Sequence, residues 1–182
     1  ILYLSLKPGK FPCLNHNYYF HSGANLWDES GASGKSWPKM YLLTTGCREN
    51  GSEYADTVTI MTYMRYDEVL RWHDTSLGRR GEGYLRFKYE RADILLHLVK
   101  QRFPALSEAV ENMEVSTPLT YRDYTGIPEG SLYGIARDFS NPLQIAVPPK
   151  TKIPNFYFTG QNSNLHGVVG VTISAVMTCG EI

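Results

Sequence analysis

Lys152-Ile153-Pro154-Asn155-Phe156-Tyr157-Phe158-Thr159-Gly160-Gln161-Asn162, running on through His166-Gly167-Val168-Val169-Gly170 to Ile182, is the stretch on which the fold turns. A proline marks entry into a new element, an aromatic run follows, and Gly160 closes it, which is the composition of a short buried strand. Polar turn residues come next, from Gln161 to Asn164. Gly167 and Gly170 follow, and then Val171 to Gly180, a run without a charge. Such a strand–turn–apolar joint is a place where a ligand can sit.

The residues after the turn pull in two directions. Val168, Val169, Val171, Thr172, Ile173 and Val176 are β-branched, and propensity alone favours strand at least as readily as helix. Spacing favours helix: Gly170, Ser174 and Thr178 make one line of small residues at four-residue intervals, and Gly167, Val171, Ala175 and Cys179 make another beside it. Small-residue lines let a helix lie close on a neighbour.

Upstream, Leu2-Tyr3-Leu4-Ser5-Leu6-Lys7 alternates and ends at Pro8-Gly9, a strand followed by a turn. Asn17 to His21 is a second strand. Met40 to Thr45 and Thr57 to Met64 are two more, joined through Arg48-Glu49-Asn50-Gly51-Ser52, so they are expected as antiparallel neighbours. Beyond Asp67 the period changes. Leu85, Tyr89, Ala92, Leu96, Val99 and Phe103 recur at steps of four and three, predicting an amphipathic helix that stops at Pro104. Ala105 to Asn112 reads as a shorter helix, Met113 to Ser116 as a strand returning to the sheet, and Thr120 to Thr125 as a turn or short helix. Arg137 to Thr151, rich in proline and asparagine, reads as a loop.

Composition excludes several classes. The 182 residues carry 18 basic and 18 acidic side chains, and this zero net charge offers no field for nucleic acid. The chain begins with Ile and reads as a fragment. Cys13, Cys47 and Cys179 are odd in number and lack metal-ligand spacing, so neither a disulfide framework nor a zinc site is expected, and a reducing, cytoplasmic setting fits. The longest uncharged run is broken by Asn, Gln, His and Gly and does not read as a spanning helix. His16 and His21 would face opposite sides of a strand and cannot share a metal. Gly31-Ala32-Ser33-Gly34-Lys35-Ser36 superficially resembles a phosphate-binding loop, yet the position of its first glycine is Glu29 and Pro38 discourages the helix that should follow. It reads as a polar loop.

The pattern Asn155-Phe156-Tyr157-Phe158-Thr159-Gly160-Gln161, a spacer, His166-Gly167-Val168-Val169-Gly170 and a small-residue helix resembles the C-terminal FAD-binding signature of the phytoene desaturase, carotenoid isomerase and retinol saturase family, a branch of the flavin amine-oxidase superfamily. Ser116-Thr117-Pro118-Leu119-Thr120, followed by Gly130-Ser131-Leu132-Tyr133-Gly134-Ile135, resembles the segment preceding it. The resemblance covers residues from about Tyr66 to the end. It adds to the spacing in predicting a helix after Gly167, and it implies an α+β fragment of a larger α/β flavoenzyme. Residues 1–151 would be part of a substrate-binding domain with an antiparallel sheet, and residues 152–182 the C-terminal strand and helix of the FAD-binding domain.

The implied activity is oxidoreduction at double bonds of an apolar polyene by hydride transfer through FAD, with NAD(P)H an open choice of reductant. Gly160, Gln161 and Asn162 would lie near the ribityl and phosphate portion of the cofactor. Gly167, Val168 and Val169 would offer backbone N–H groups to the flavin ring, whose reduced form carries negative charge that a helix N-terminus favours. Thr117 and Tyr133 are substrate candidates, and Tyr133 and His166 are the acid–base candidates. Gln161 departs from the acidic residue of the wider superfamily and suits the retinol saturase branch. An N-terminal Gly-x-Gly-x-x-Gly fingerprint is absent from this chain, since Gly78 to Gly83 has its glycines in the reverse spacing. The main FAD-binding half would therefore lie upstream. Peripheral contact with a membrane stays open. An amine-oxidase-like enzyme and a non-catalytic protein-binding module are the rival readings.

Overall fold

The computed structural model describes residues 1–23, 37–49, 51–136, 140–141, 147–163 and 165–182. The phosphate-loop look-alike at 31–36 and Asn50 of the expected Asn-Gly turn lie outside them, as does part of the 137–151 loop. The chain divides into two units, Ile1–Gly130 and Ser131–Ile182.

In the first unit, alternation becomes sheet. Strand β1 is Leu2–Leu6, β2 Tyr18–His21, β3 Met40–Gly46, β4 Thr57–Met61 and β5 Val110–Val115. They form one antiparallel sheet in the order β2-β3-β4-β1-β5. Leu2, Leu4 and Leu6, with Tyr41, Leu43, Val58 and Ile60, are buried on one face. An alternating strand can bury only every second side chain, so Tyr3, Leu42, Thr44, Thr59 and Met61 fall on the other.

The inner face joins one core with Ala92, Leu95, Leu96 and Val99 of helix α1, Glu82–Arg102. Lys100 and Arg102 in its last turn suit the negative end of the helix dipole. The expected stripe holds from Ala92 onward and fails before it: Leu85 and Tyr89 are exposed, while Tyr84 is buried. The sheet accounts for the C-terminal half of α1. The N-terminal half turns Tyr84 into a second cluster with Val69 and Leu119, against Trp72 and Phe87.

Three further expectations are corrected. The helix after Pro104 is the single turn α2, Leu106–Ala109, and β5 begins at Val110, because Val110 already pairs with Leu6 of β1. Tertiary pairing there outweighs the helix-compatible Glu111 and Asn112. Cys13 and Cys47 are not free thiols: they form a disulfide, with Cα atoms 6.1 Å apart. The Cys13 N–H bonds to the Glu53 carbonyl at 2.9 Å, and Leu14 exchanges two 3.0 Å bonds with the Thr45 hydroxyl. These contacts bring a loop residue beside the end of β3, a closeness that a separation of 34 residues hides. Cross-linking a loop of that length is worth roughly 4 kcal/mol on the chain-entropy account.

The third correction concerns residues 152–160, which do not make a buried strand. Among the described residues their one ladder contact is a bridge between Lys150 and Tyr157. Thr151 Oγ1 donates to the Phe156 carbonyl at 2.7 Å, and the Phe158 N–H to that of Pro149 at 2.7 Å, so the segment folds back on itself. Ile153, Phe156 and Phe158 are exposed. An aromatic run signals a strand only where a neighbouring strand can pair with it.

Candidate functional site

The second unit is built on helix α4, Gly167–Gly180, so the small-residue spacing and not the β-branched composition describes this stretch. Its buried residues are Gly170, Ser174 and Thr178. Any side chain at Gly170 would strike the Leu165 backbone. Ser174 Oγ accepts the Gly160 N–H at 2.9 Å, and Thr178 Oγ1 donates to the Phe158 carbonyl at 2.9 Å. The line of small residues thus grips the stretch 158–160. The second line faces outward, with the valines beside it: Val168 is 86% exposed.

Gly160 opens a turn closed by the Ser163 N–H on its carbonyl at 3.1 Å. Its φ of +101° suits glycine, and nothing lies within 4 Å of where a Cβ would stand. Gly167, at φ +78°, begins the helix with the same open space. His166 occupies the N-cap and makes no side-chain cap bond. The first amides of a helix, here those of Gly167, Val168 and Val169, have no acceptor in a preceding turn.

Asn162 ties this turn to the glycine-flanked one before it, its Oδ1 accepting the Ile135 N–H at 3.1 Å. Gly134, at φ +76°, suits glycine there, and a Cβ would also crowd the Gln161 carbonyl oxygen at 3.3 Å. The fold brings Tyr133 and His166 together, ring centroids 4.9 Å apart. Gln161 is half-buried in the same turn.

Thr117 belongs to the first unit. It is buried as the N-cap of α3, Pro118–Thr125, with its hydroxyl 2.7 Å from Tyr84 Oη and its N–H bonded to Thr120 Oγ1 at 3.1 Å. The α3 helix ends at Gly126, and Gly130 packs where any side chain would meet the Pro118 carbonyl.

Two ion pairs flank α1. Buried Arg80 pairs with Asp123 and donates to the Thr75 carbonyl at 2.8 Å, while Arg91 pairs with Glu68. Burial raises the pKa of Glu68, whose second carboxylate oxygen has no hydrogen-bond partner. Hydrogen bonding to Asp123 raises that of Arg122, which also donates to the His73 carbonyl at 2.7 Å. These groups pin helices together.

On the outward face of the sheet two rows lie side by side. One is apolar: Met61 stands opposite Leu42, and Leu42 opposite Tyr19. The other carries hydroxyls, Thr44, Thr59 and Tyr3, with Glu114 at its end. Sequence reasoning passed over Tyr3; the signal available was its outward register between Leu2 and Leu4. Among the described residues no helix is long and apolar enough to cross a membrane, and no cluster of three His, Cys, Asp or Glu could hold a metal ion.

Comparison with known proteins supplies relatives. The chain is 28% identical to the all-trans-retinol 13,14-reductase of Danio rerio over 129 residues, 69% of this chain and 21% of that protein. It is 30% identical to the Homo sapiens enzyme of the same name and 27% identical to that of Rattus norvegicus, each over 129 residues. The matched stretch spans about a fifth of the length of these relatives. No family model matches the chain, and no solved structure matches it significantly.

Proposed function

We propose that this chain is the C-terminal part of a flavin-dependent oxidoreductase that acts on double bonds of an apolar polyene of the retinoid or carotenoid kind. The observation that carries this reading is the similarity to all-trans-retinol 13,14-reductases sustained over 129 residues. In it, residues 1–151 contribute to substrate binding and residues 152–182 to the cofactor-binding domain, whose main half lies upstream.

The residues present fit one edge of FAD. Gly160 and Gly167 leave open space at positive φ, so a flat or phosphorylated group can approach the backbone. The amides of Gly167, Val168 and Val169, at the positive end of α4, suit an electron-rich ring edge. Gln161 and Asn162 stand in the turn between them. Bound there, FAD supplies hydride transfer.

The chain's own residues would contact the substrate and handle a proton. Within the first unit, the row of Leu42, Met61 and Tyr19 offers an apolar surface suited to a polyene. Within the second, Tyr133 and His166 hold a phenol and an imidazole side by side for proton handling. Reduction of a carbon–carbon double bond needs a proton as well as a hydride, and an adjacent acid meets that need.

The test is the visible spectrum of the protein produced from its complete reading frame. Oxidised-flavin bands that bleach on reduction, and that return as an all-trans-retinoid is consumed, support the reading. A colourless protein that takes up no added FAD sinks it. The 182-residue chain alone is expected to bind FAD weakly or not at all.

A further inference from the structure

We infer that the Cys13–Cys47 disulfide is a redox-sensitive fastener of the edge strand β2. Reduced by a dithiol, it frees that strand to open while the centre of the sheet stays closed. The inference goes beyond the polyene reading and does not depend on it.

The strand order puts β2 at one edge of the sheet, paired with β3. At four residues it is the shortest strand described. Local opening costs least at such an edge. Ring contacts hold its inner side: Tyr18 meets Phe103 edge-on with centroids 5.0 Å apart, and Phe20 stacks on Tyr41 at 4.9 Å. The disulfide adds a covalent tie. Cys13 sits shortly before β2 and Cys47 directly after β3, so the link joins the entry of one strand to the exit of its neighbour.

With the link intact, an opened β2 stays tethered beside its place on β3. Cutting it removes the restraint on a loop of 34 residues and so enlarges the open ensemble. What then holds the entry is a set of hydrogen bonds, from the Cys13 N–H to Glu53 and between Leu14 and Thr45. Release stops upstream at Phe11, which is buried in the core and whose carbonyl accepts the Ala55 N–H at 2.9 Å.

The cystine is within reach of a thiol, since Cys13 and Cys47 are half-buried and their neighbours Pro12 and Arg48 are exposed. A dithiol attacks as its thiolate and forms a mixed disulfide, and its second thiol then displaces the protein sulfur. The Cys13–Cys47 bond breaks, a disulfide closes in the reagent, and two electrons and two protons pass to the cysteines. Tyr19 of the outward apolar row lies on β2, so the state of the pair sets how firmly that end of the row is held.

The experiment is hydrogen exchange of the intact protein with and without dithiothreitol, alongside alkylation by iodoacetamide and peptide mapping. Cys13 and Cys47 are expected to resist alkylation until the reductant is added, while exposed Cys179 reacts throughout. On reduction the amides of Tyr18–His21 should exchange roughly tenfold faster, and those of β1 and β4 should not change. Cys13→Ser should show the fast exchange without reductant and no further response to it. Cys13 and Cys47 that alkylate before reduction overturn the inference. So does exchange that is unaltered everywhere, or that rises equally in β1 and β4, which would make the link a staple of the whole unit.

Discussion

The two units of this chain bury opposite kinds of residue. In Ile1–Gly130 the inside is leucine, isoleucine, valine and tyrosine, and the strands alternate accordingly. In Ser131–Ile182 the buried residues of the one helix are glycine, serine and threonine, while its valines face out. The first is held by apolar area removed from water, at about 25 cal/mol per Å². Close backbone approach and side chain–backbone hydrogen bonds hold the second. A β-branched apolar run therefore marks a core in one unit and a surface in the other.

Truncation should expose that contrast most strongly. Leu43→Ala, at a position fully buried in the sheet, is expected to cost about 2–5 kcal/mol in urea denaturation. Val168→Ala, at a mostly exposed position, should stay within about 0.5 kcal/mol in the same chain. Equal losses would break the comparison.

A smaller effect probes the polar grip of α4. Ser174→Ala removes the acceptor of the Gly160 N–H and is expected to cost about 1 kcal/mol, read as faster amide exchange at Gly160. Unchanged exchange would mean that close packing alone holds the unit.

The smallest effect runs the other way. Tyr41 lies in the apolar core with a buried hydroxyl that has no partner, stacked on Phe20 with ring centroids 4.9 Å apart. Tyr41→Phe keeps the ring, and is expected to raise stability by up to about 1 kcal/mol at neutral pH. Burial pushes the phenol pKa up from 10.0 to about 12. The folded protein thus holds a proton that the unfolded chain releases above pH 10. Stability linked to that proton is complete below pH 10 and is lost as the pH rises through about 12. The advantage of the Phe variant should widen across that window in parallel thermal melts; a constant gap would mean that the phenol titrates alike in the folded and unfolded chain.

Much of this was legible in the residues. Alternation placed β1, β3 and β4, the three-and-four spacing placed the second half of α1, and four-residue spacing together with the family resemblance pointed to α4 against β propensity, while the structure chose Gly170, Ser174 and Thr178 over the second small-residue line as the buried one. The failures share a cause. Where β5 begins, where α1 turns from one cluster to the other, and whether residues 152–160 make a strand all depend on what lies opposite. In the candidate site, Gly160 to Asn162 and Gly167 to Val169 could be singled out as a turn and a helix start. The meeting of Tyr133 with His166 could not, and Tyr3 reaches Tyr121 across 118 residues.

By itself the sequence determined local periods, turn chemistry and the face each element would offer, because these arise from bond geometry over a few neighbouring residues. Only the tertiary structure decided which face found a partner, which cysteines met and which phenols shared a hydrogen. Those outcomes rest on distances between residues far apart in the chain, and the backbone sets such distances only once the sheet has closed.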